Sequence, residues 1–521
     1  MNPYRRNAFA FAAIVALGGF VFGLDAALIS GTVNFIAREF NLSDLELGMA
    51  VGAPGLGVVV ALPLTGLASN LLGRKKTLQI IAALYLVSAV SSALAPTFWA
   101  LVASRFLGGL AFSSITVASM YIGEIAPPDY RGKLVAILQI NIVLGLSTAY
   151  FTNYLILLAS NSGAEWLDTL GITTYTWRWM LGSEILPALL WLALLSYIPN
   201  SPAWLIYRGR RGEAMDVLRR LLPVEEIPEA VHRMEDSLRQ TVVSNGVMDQ
   251  LKRIFGPRMR LVFLIAFTVA IVQQATGINA VLFYAPTIFE QLGFGMDAAF
   301  AQAIWVGLTS IVFTVLAILL IDRLGRRPLV IWGLLWIIAS LILCAYGFHD
   351  ATYRLSVDAL QELRDIPNAE ALAGLVDHTF TSDIAFKAAV QEAIGEQAAR
   401  AHTGILLQQA AELNAVLILT GILSFIAAFH FSIGPVMWVL LSEIFPISVR
   451  GVAIPLFALI SSLVNYVVQQ FFPWQLANLG GASIFMTYAV MVSVGWLILL
   501  RTLPETKNLS IEEIEQKLIR S

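Results

Sequence analysis

Gly123-Glu124-Ile125-Ala126-Pro127, closing at Arg131-Gly132, returns later in the chain as Ser442-Glu443-Ile444-Phe445-Pro446, closing at Arg450-Gly451. In both copies the Glu precedes the Arg by seven positions. Upstream of each copy stands a second matched pair, Leu72-Gly73-Arg74-Lys75 and Leu324-Gly325-Arg326-Arg327. Gly73 to Glu124 is 51 positions and Gly325 to Glu443 is 118, so the second copy is longer by 67. A unit has been duplicated, and its second copy carries an added segment matching 349–412 in size.

Apolar runs surround these motifs. Crossing a bilayer as a helix takes about 20 mostly apolar residues. The candidates are 9–31, 48–71, 77–95, 98–121, 133–159, 179–198, 261–289, 300–321, 328–348, 413–441, 452–474 and 482–501. Pro199 and Pro504 each follow the sixth run of their copy. Composition agrees: the chain is 58% hydrophobic and 13% charged, with mean hydropathy +0.75, against about 25% charged in soluble domains. Lipid must be the solvent for much of this surface. The sequence therefore predicts an all-α polytopic membrane protein with twelve spans in two six-helix halves around a central cavity. The halves are 1–202 and 259–521, joined by a linker at 203–258 with short surface helices, and 349–412 is inserted into the second half.

A net charge of −2 excludes nucleic acid as a partner. Cys344 is the only cysteine and lies in an apolar run, so neither an intramolecular disulfide nor a cysteine metal site can form. Met1-Asn2-Pro3-Tyr4-Arg5-Arg6 and the run after it imitate a signal peptide. The run reaches Gly23-Leu24-Asp25 without a cleavage signal, and we read it as a retained first span. Arg74-Lys75-Lys76, Arg131, Lys133, the 205–260 segment, Arg323, Arg326-Arg327 and Arg450 fall in alternate connections. That bias predicts cytoplasmic termini, and a cell inner membrane is the expected location. The insertion is then outside; it is acidic, with Asp350, Asp358, Glu362, Asp365, Glu370, Asp377, Asp383, Glu392 and Glu396. Its Ala/Leu/Gln/Glu content predicts helices, with a disordered loop as the alternative.

Seven motifs in order give the chain a family resemblance. They are Phe22-Gly23-Leu24-Asp25, Leu72-Gly73-Arg74-Lys75, Tyr121 through Arg131-Gly132, Gln273-Gln274-Ala275-Thr276-Gly277-Ile278-Asn279, Gly434-Pro435-Val436-Met437-Trp438, Ser442 through Arg450-Gly451, and Pro504-Glu505-Thr506-Lys507. Together they resemble the sugar porter family of the major facilitator superfamily, which includes bacterial sugar–proton symporters and facilitative glucose transporters. The resemblance covers nearly the whole chain except 349–412. It implies alternating access, with Arg74, Glu124, Arg131, Asp322, Arg326, Glu443 and Arg450 as charges closing the cytoplasmic face in one state. The same bases also serve as plain positive-inside anchors. The chain departs from the family at Asn70, where Asp is usual, at Ala203 and at Asn508.

Asp25 is the only ionisable side chain inside the first span, and Arg105 lies near the start of the fourth. A carboxylate within the membrane is a functional hypothesis by default. The family's proton-coupled members carry Asp at this place, so the resemblance implies proton coupling through Asp25 and Arg105. A permanent structural pair is the alternative.

Sugars are held by amides that both donate and accept, framed by an aromatic face. Gln139 in the fifth span and Gln273, Gln274 and Asn279 in the seventh supply the amides. Gln273 to Asn279 covers under two helical turns, which predicts one shared face. Trp438, after a break expected at Gly434-Pro435, would stack on the sugar. Phe20, Tyr284 and Asn465 match family positions, and His430 is the one intramembrane histidine, placed to contact sugar or to pack. Ser310, Phe283 and Ser461-Ser462 depart from common family residues and leave the sugar's identity open.

The expected function is import of a hexose, pentose or related polyol with a proton. Uniport, a sugar sensor and an exporter of other organic solutes are the alternatives. No phosphate-binding loop for ATP occurs. No clustered nucleophile and base or metal ligands mark an enzyme, so no cofactor or metal is expected. The partners implied are a sugar, a proton and the lipid bilayer, with the chain acting as a monomer.

Overall fold

The computed structural model describes residues 3–126, 130–242, 247–507, 509, 513, 514 and 518. Pro127 and Asn508 lie outside these residues. Eleven of its helices are long and apolar enough to cross a membrane. We number them as spans one (Pro3–Gly31), two (Asp44–Leu72), three (Arg74–Ala93), four (Phe98–Ile125) and five (Gly132–Ser160), then seven (Pro257–Phe283), eight (Met296–Leu324), nine (Arg326–His349), ten (Ala415–Ile444), eleven (Ser448–Asn478) and twelve (Gly480–Thr502). Span six is built differently from the continuous run expected over 179–198. It consists of Thr176–Gly182 and Ile185–Leu194, with a break at Ser183 and Glu184. The chain is thus a twelve-span bundle.

Local chemistry sets the helix ends. Span two starts at a capping box: Ser43 accepts from the Glu46 backbone N–H, and the Glu46 carboxylate accepts from the Ser43 N–H at 2.8 Å. Thr97 caps span four with a single bond, accepting from the Ala100 N–H. Spans two and eleven each hold two internal prolines, Pro54 and Pro63 against Pro455 and Pro473. Prolines are tolerated in membrane helices because neighbouring helices and side chains satisfy the freed carbonyls.

The bundle has two ends. One, the linker end, carries residues 203–258 and receives the C-terminus of span twelve. The segment folds into short helices, including Pro202–Tyr207, Arg211–Leu218, Ile227–Val242 and Val247–Ile254. The other, the insertion end, carries 350–414. Helices were expected there, and helices form, among them Val357–Glu362, Asp383–Ile394 and Thr403–Ala410. Composition gave no sign of the three-stranded sheet beside them, ordered Thr379–Phe380, Thr352–Arg354, Ala411–Glu412. Tyr353, Leu355, Leu363, Leu372, Phe386 and Leu406 form a separate core under these elements. Burial of these apolar side chains gives the segment a fixed structure, contrary to the loop alternative.

Spans one to six meet spans seven to twelve at the insertion end. Span two packs on span eleven and span five on span eight. Gln470 donates to the Leu45 carbonyl at 2.8 Å, and Asn161 donates to Asp297 at 3.0 Å. Asn34 donates to Glu290 at 2.7 and 2.8 Å. A Cβ added to Gly48 would overlap the Gln470 carbonyl oxygen, so only glycine permits this approach of spans two and eleven. Gly48→Val should therefore wedge the insertion end open, at a packing cost of about 1–3 kcal/mol, or roughly tenfold in the closed population. Ile29 is fully buried there and the single cysteine, Cys344, is also buried. Thiol labelling of Ile29→Cys should speed up about tenfold in the Gly48→Val background, in line with that cost; an unchanged rate contradicts the assignment.

Candidate functional site

Two polar groups lie within the apolar bundle. The first joins spans one, four and six. Asp25 and Arg105 are 1% and 2% exposed and form a direct ion pair, as the sequence predicts. The sequence reading missed their third partner. Glu184, at the break in span six, is 3% exposed and lies within hydrogen-bonding reach of Asp25. Asp25 Oδ2 and Glu184 Oε1 accept no hydrogen bond from any described protein group. Two carboxylates in contact repel, whereas one shared proton turns the contact into a hydrogen bond. With one guanidinium and two carboxyls, the set is neutral when it holds one proton. Gly108 leaves room for it: a Cβ there would sit 3.1 Å from Asp25 Oδ2. The signal for Glu184 was available in the sequence as a lone carboxylate inside the apolar run of span six.

The second group lies on spans seven and eleven. Span seven is not one continuous helix. Arg260–Ala275 stops, Gly277 takes φ +77°, and Ile278–Phe283 begins. That left-handed geometry favours glycine, and a Cβ would overlap the Tyr488 ring besides. The break, rather than a shared helical face, brings the amides together. Asn279 donates to Gln274 Oε1 at 2.9 Å and to Asn465 Oδ1 at 2.8 Å. Gln274 donates to Gln273 Oε1 at 3.1 Å, and Gln273 to the Gly434 carbonyl at 3.3 Å. Two residues outside the expected set complete the network: Ser461 donates to Gln273 Oε1 at 3.4 Å, and Gln469 donates to Asn465 Oδ1 at 2.6 Å. The Tyr284 hydroxyl donates to the Gln469 carbonyl, and its ring rests on Phe472.

The remaining predicted residues are distributed around this network. Span ten breaks at Ser432, two positions before the expected Gly434, which separates Ala415–Phe431 from Ile433–Ile444. Trp438, past the break, is half-exposed. His430 is set apart: it is buried between spans eight and ten, with Nδ1 on Thr314 at 3.2 Å. Ser310 bonds its own helix through the Val306 carbonyl. Phe20 and Gln139 are half-buried on spans one and five. A Cβ on Gly19 would lie 2.8 Å from the Leu138 carbonyl oxygen, so these two residues sit at one level.

At the linker end the repeated charges pair within their own copy. Arg74 binds Glu124 at 2.8 Å, and Arg326 binds Glu443 at 3.0 Å. Ser201 donates to Glu124 where Thr506 donates to Glu443, so the two copies are built alike. The Asn70 departure is visible: Arg74 reaches its amide oxygen at 3.4 Å, while Arg326 pairs with Asp322 at 3.0 Å. Arg450 donates to the Phe445 carbonyl at 3.0 Å, and the Arg131 side chain lies outside the described residues.

The sequence profile of the family described as sugar (and other) transporter matches residues 11–356 and 397–518. The chain belongs to this family. It is 31% identical to the arabinose–proton symporter of Bacillus subtilis (strain 168), over 97% of this chain and 93% of that one. Against the D-xylose–proton symporter of Escherichia coli (strain K12) it is 32% identical, over 99% and 97%. Its structure matches the inward-open conformation of the E. coli xylose transporter with TM-score 0.73 at 30% identity, covering 98% and 99% of the two chains.

Asn279 donates one bond across the break within span seven, to Gln274, and one to Asn465 of span eleven. Asn279→Ala should cost about 1–3 kcal/mol at roughly 0.5–1.5 kcal/mol per bond, a fall in Tm of about 1–3 °C for a chain of this length. An unchanged Tm contradicts the network's structural weight.

Proposed function

We propose that this family member imports a small sugar, a pentose or hexose, together with a proton by alternating access. It is a transporter rather than an enzyme. The observation that carries the reading is the pairing of two sites in one bundle. Spans one, four and six hold a charge set that is balanced by a single proton, and spans seven and eleven hold a cluster of amides that can exchange their mutual bonds for bonds to hydroxyls. Gln139, Gln273, Gln274, Asn279 and Asn465 would bind the sugar's hydroxyls, with Trp438, Phe20 and Tyr284 framing its ring. The relatives named above are arabinose–proton and D-xylose–proton symporters, which supports both the sugar and the proton.

In this reading residues 1–202 and 259–521 rock against each other, with the linker end cytoplasmic and both termini inside. The structure is closed at the insertion end. Moving to the opposite state would bring Arg74, Glu124, Arg131, Asp322, Arg326, Glu443 and Arg450 of the two copies together across the cytoplasmic face. Asn70 makes the first copy's share of that belt less charged. One chain supplies both sites, so a monomer in the bilayer is sufficient.

The test is purified protein in liposomes, with external pH followed in weak buffer as arabinose, xylose or glucose is added. A substrate sugar should make the medium alkaline as protons enter with it. Asp25→Asn should abolish this signal and leave sugar exchange intact. Labelled sugar equilibrating with no pH change in the native protein would make it a uniporter.

A further inference from the structure

A buried carboxylate lies at the closed insertion end, outside both sites above. Glu290 ends the short helix Ala285–Glu290 beyond span seven and is 7% exposed. It joins the two sets of spans, because its carboxylate accepts both hydrogen bonds of Asn34, on the helix Val33–Glu39 that follows span one. The inserted segment roofs it: Thr403–Ala410 packs on its helix, and a Cβ on Gly404 would sit 3.0 Å from Glu290 Oε2. Lys387 of the insertion donates to neighbouring Gln291 at 2.9 Å, and Arg400 reaches Asp44 at the start of span two. The roof thus touches both sides of the seam, and opening the insertion end would pull Glu290 away from Asn34 and into water.

The charged surroundings are sparse. Of the elements packed against Ala285–Glu290, the turn Ile29–Gly31, the helix Ile278–Phe283 and the helix Thr403–Ala410 carry no ionisable side chain. Span eight brings Asp297, which Asn161 engages. Arg38, on Val33–Glu39, is the cation acting on Glu290, while Glu39 beside it is held by Trp177 and Arg178.

We propose that Glu290 is a proton-operated latch on the insertion-end gate: a proton on its carboxyl favours the closed gate, and loss of that proton favours opening. This proton never crosses the membrane, since the carboxyl is sealed when the gate is closed and faces the outside when it opens. It is distinct from the proton balanced by Asp25, Arg105 and Glu184. The direction follows from burial, which pushes the carboxyl from its ordinary 4.5 up to about 7 against the pull of Arg38 and Asn34. In water it returns to the ordinary range, so the closed gate binds the proton more tightly. The open-to-closed ratio therefore rises with pH between about 4.5 and 7 and levels off on either side. Acid outside would assist closure, the step that commits a loaded importer.

The proposal rests on the alternating-access reading, and its test separates the two. Spin labels at Leu94→Cys and Asn478→Cys report the spacing of the insertion ends of spans three and eleven, with buried Cys344 left in place. In the native chain the open fraction should rise roughly tenfold or more from pH 5 to pH 8. Glu290→Gln should remove the part of that rise with a midpoint near 7, leave any part due to Asp25 and Glu184, and keep the proton-to-sugar ratio. Arg38→Ala, which takes away the opposing cation, should move the midpoint upward. A Glu290→Gln profile that overlays the native one overturns the latch. Absence of proton-coupled sugar uptake in the native chain overturns instead the function on which it rests.

Discussion

An uncompensated charge inside a lipid-embedded bundle costs several kcal/mol or more. The meeting of Asp25, Arg105 and Glu184 is therefore the constraint on which the rest of this structure depends. Arg105 alone cannot neutralise two carboxyls, and no other described protein group donates to their free oxygens. The set balances only with a proton, and a proton can leave only if water reaches it. Exposure to one side at a time then becomes an electrostatic requirement, and a bundle of two moving units is a structure that meets it.

In the proposed function spans seven to twelve would meet the matching requirement for the sugar. An amide cluster in lipid must be satisfied when empty and must also be able to yield. Gln273, Gln274, Asn279 and Asn465 bond to one another, and Ser461 and Gln469 close the ends of the chain. The helix breaks at Gly277 and Ser432 put these side chains and Trp438 near backbone that is not locked into a continuous ladder. Breaks of this kind mark where a transporter's binding residues gather. Span six extends the pattern, since its break is where Glu184 sits.

Much of this was legible in the sequence because duplication is a strong signal. Glu124 and Glu443 each stand seven positions before an Arg, Arg74 and Arg326 each follow a Leu-Gly pair, and the structure builds the same ion pair in each copy. Asp25 and Arg105 were legible because charges stand out in apolar runs. Glu184 stands out by the same argument, as the lone carboxylate in the apolar run of span six. The geometry of span seven was not legible: a helical period places Gln273 and Asn279 by rotation, whereas the φ of Gly277 re-aims everything after it. The sheet in the insertion was hidden for another reason. Its strands are two or three residues long, too short for alternation to register. His430 could be read as ligand or packing from sequence, and its bond to Thr314 in a buried seam sets it among the packing residues.

The central claim is that the cluster of spans one, four and six holds one exchangeable proton. Infrared difference spectroscopy of the purified protein between low and high pH tests it most directly, through the carbonyl stretch that only a protonated carboxyl shows. The account predicts a band in the native protein that is lost or displaced in Glu184→Gln and in Asp25→Asn alike, since the two groups share the proton. A native band that neither substitution alters would contradict it.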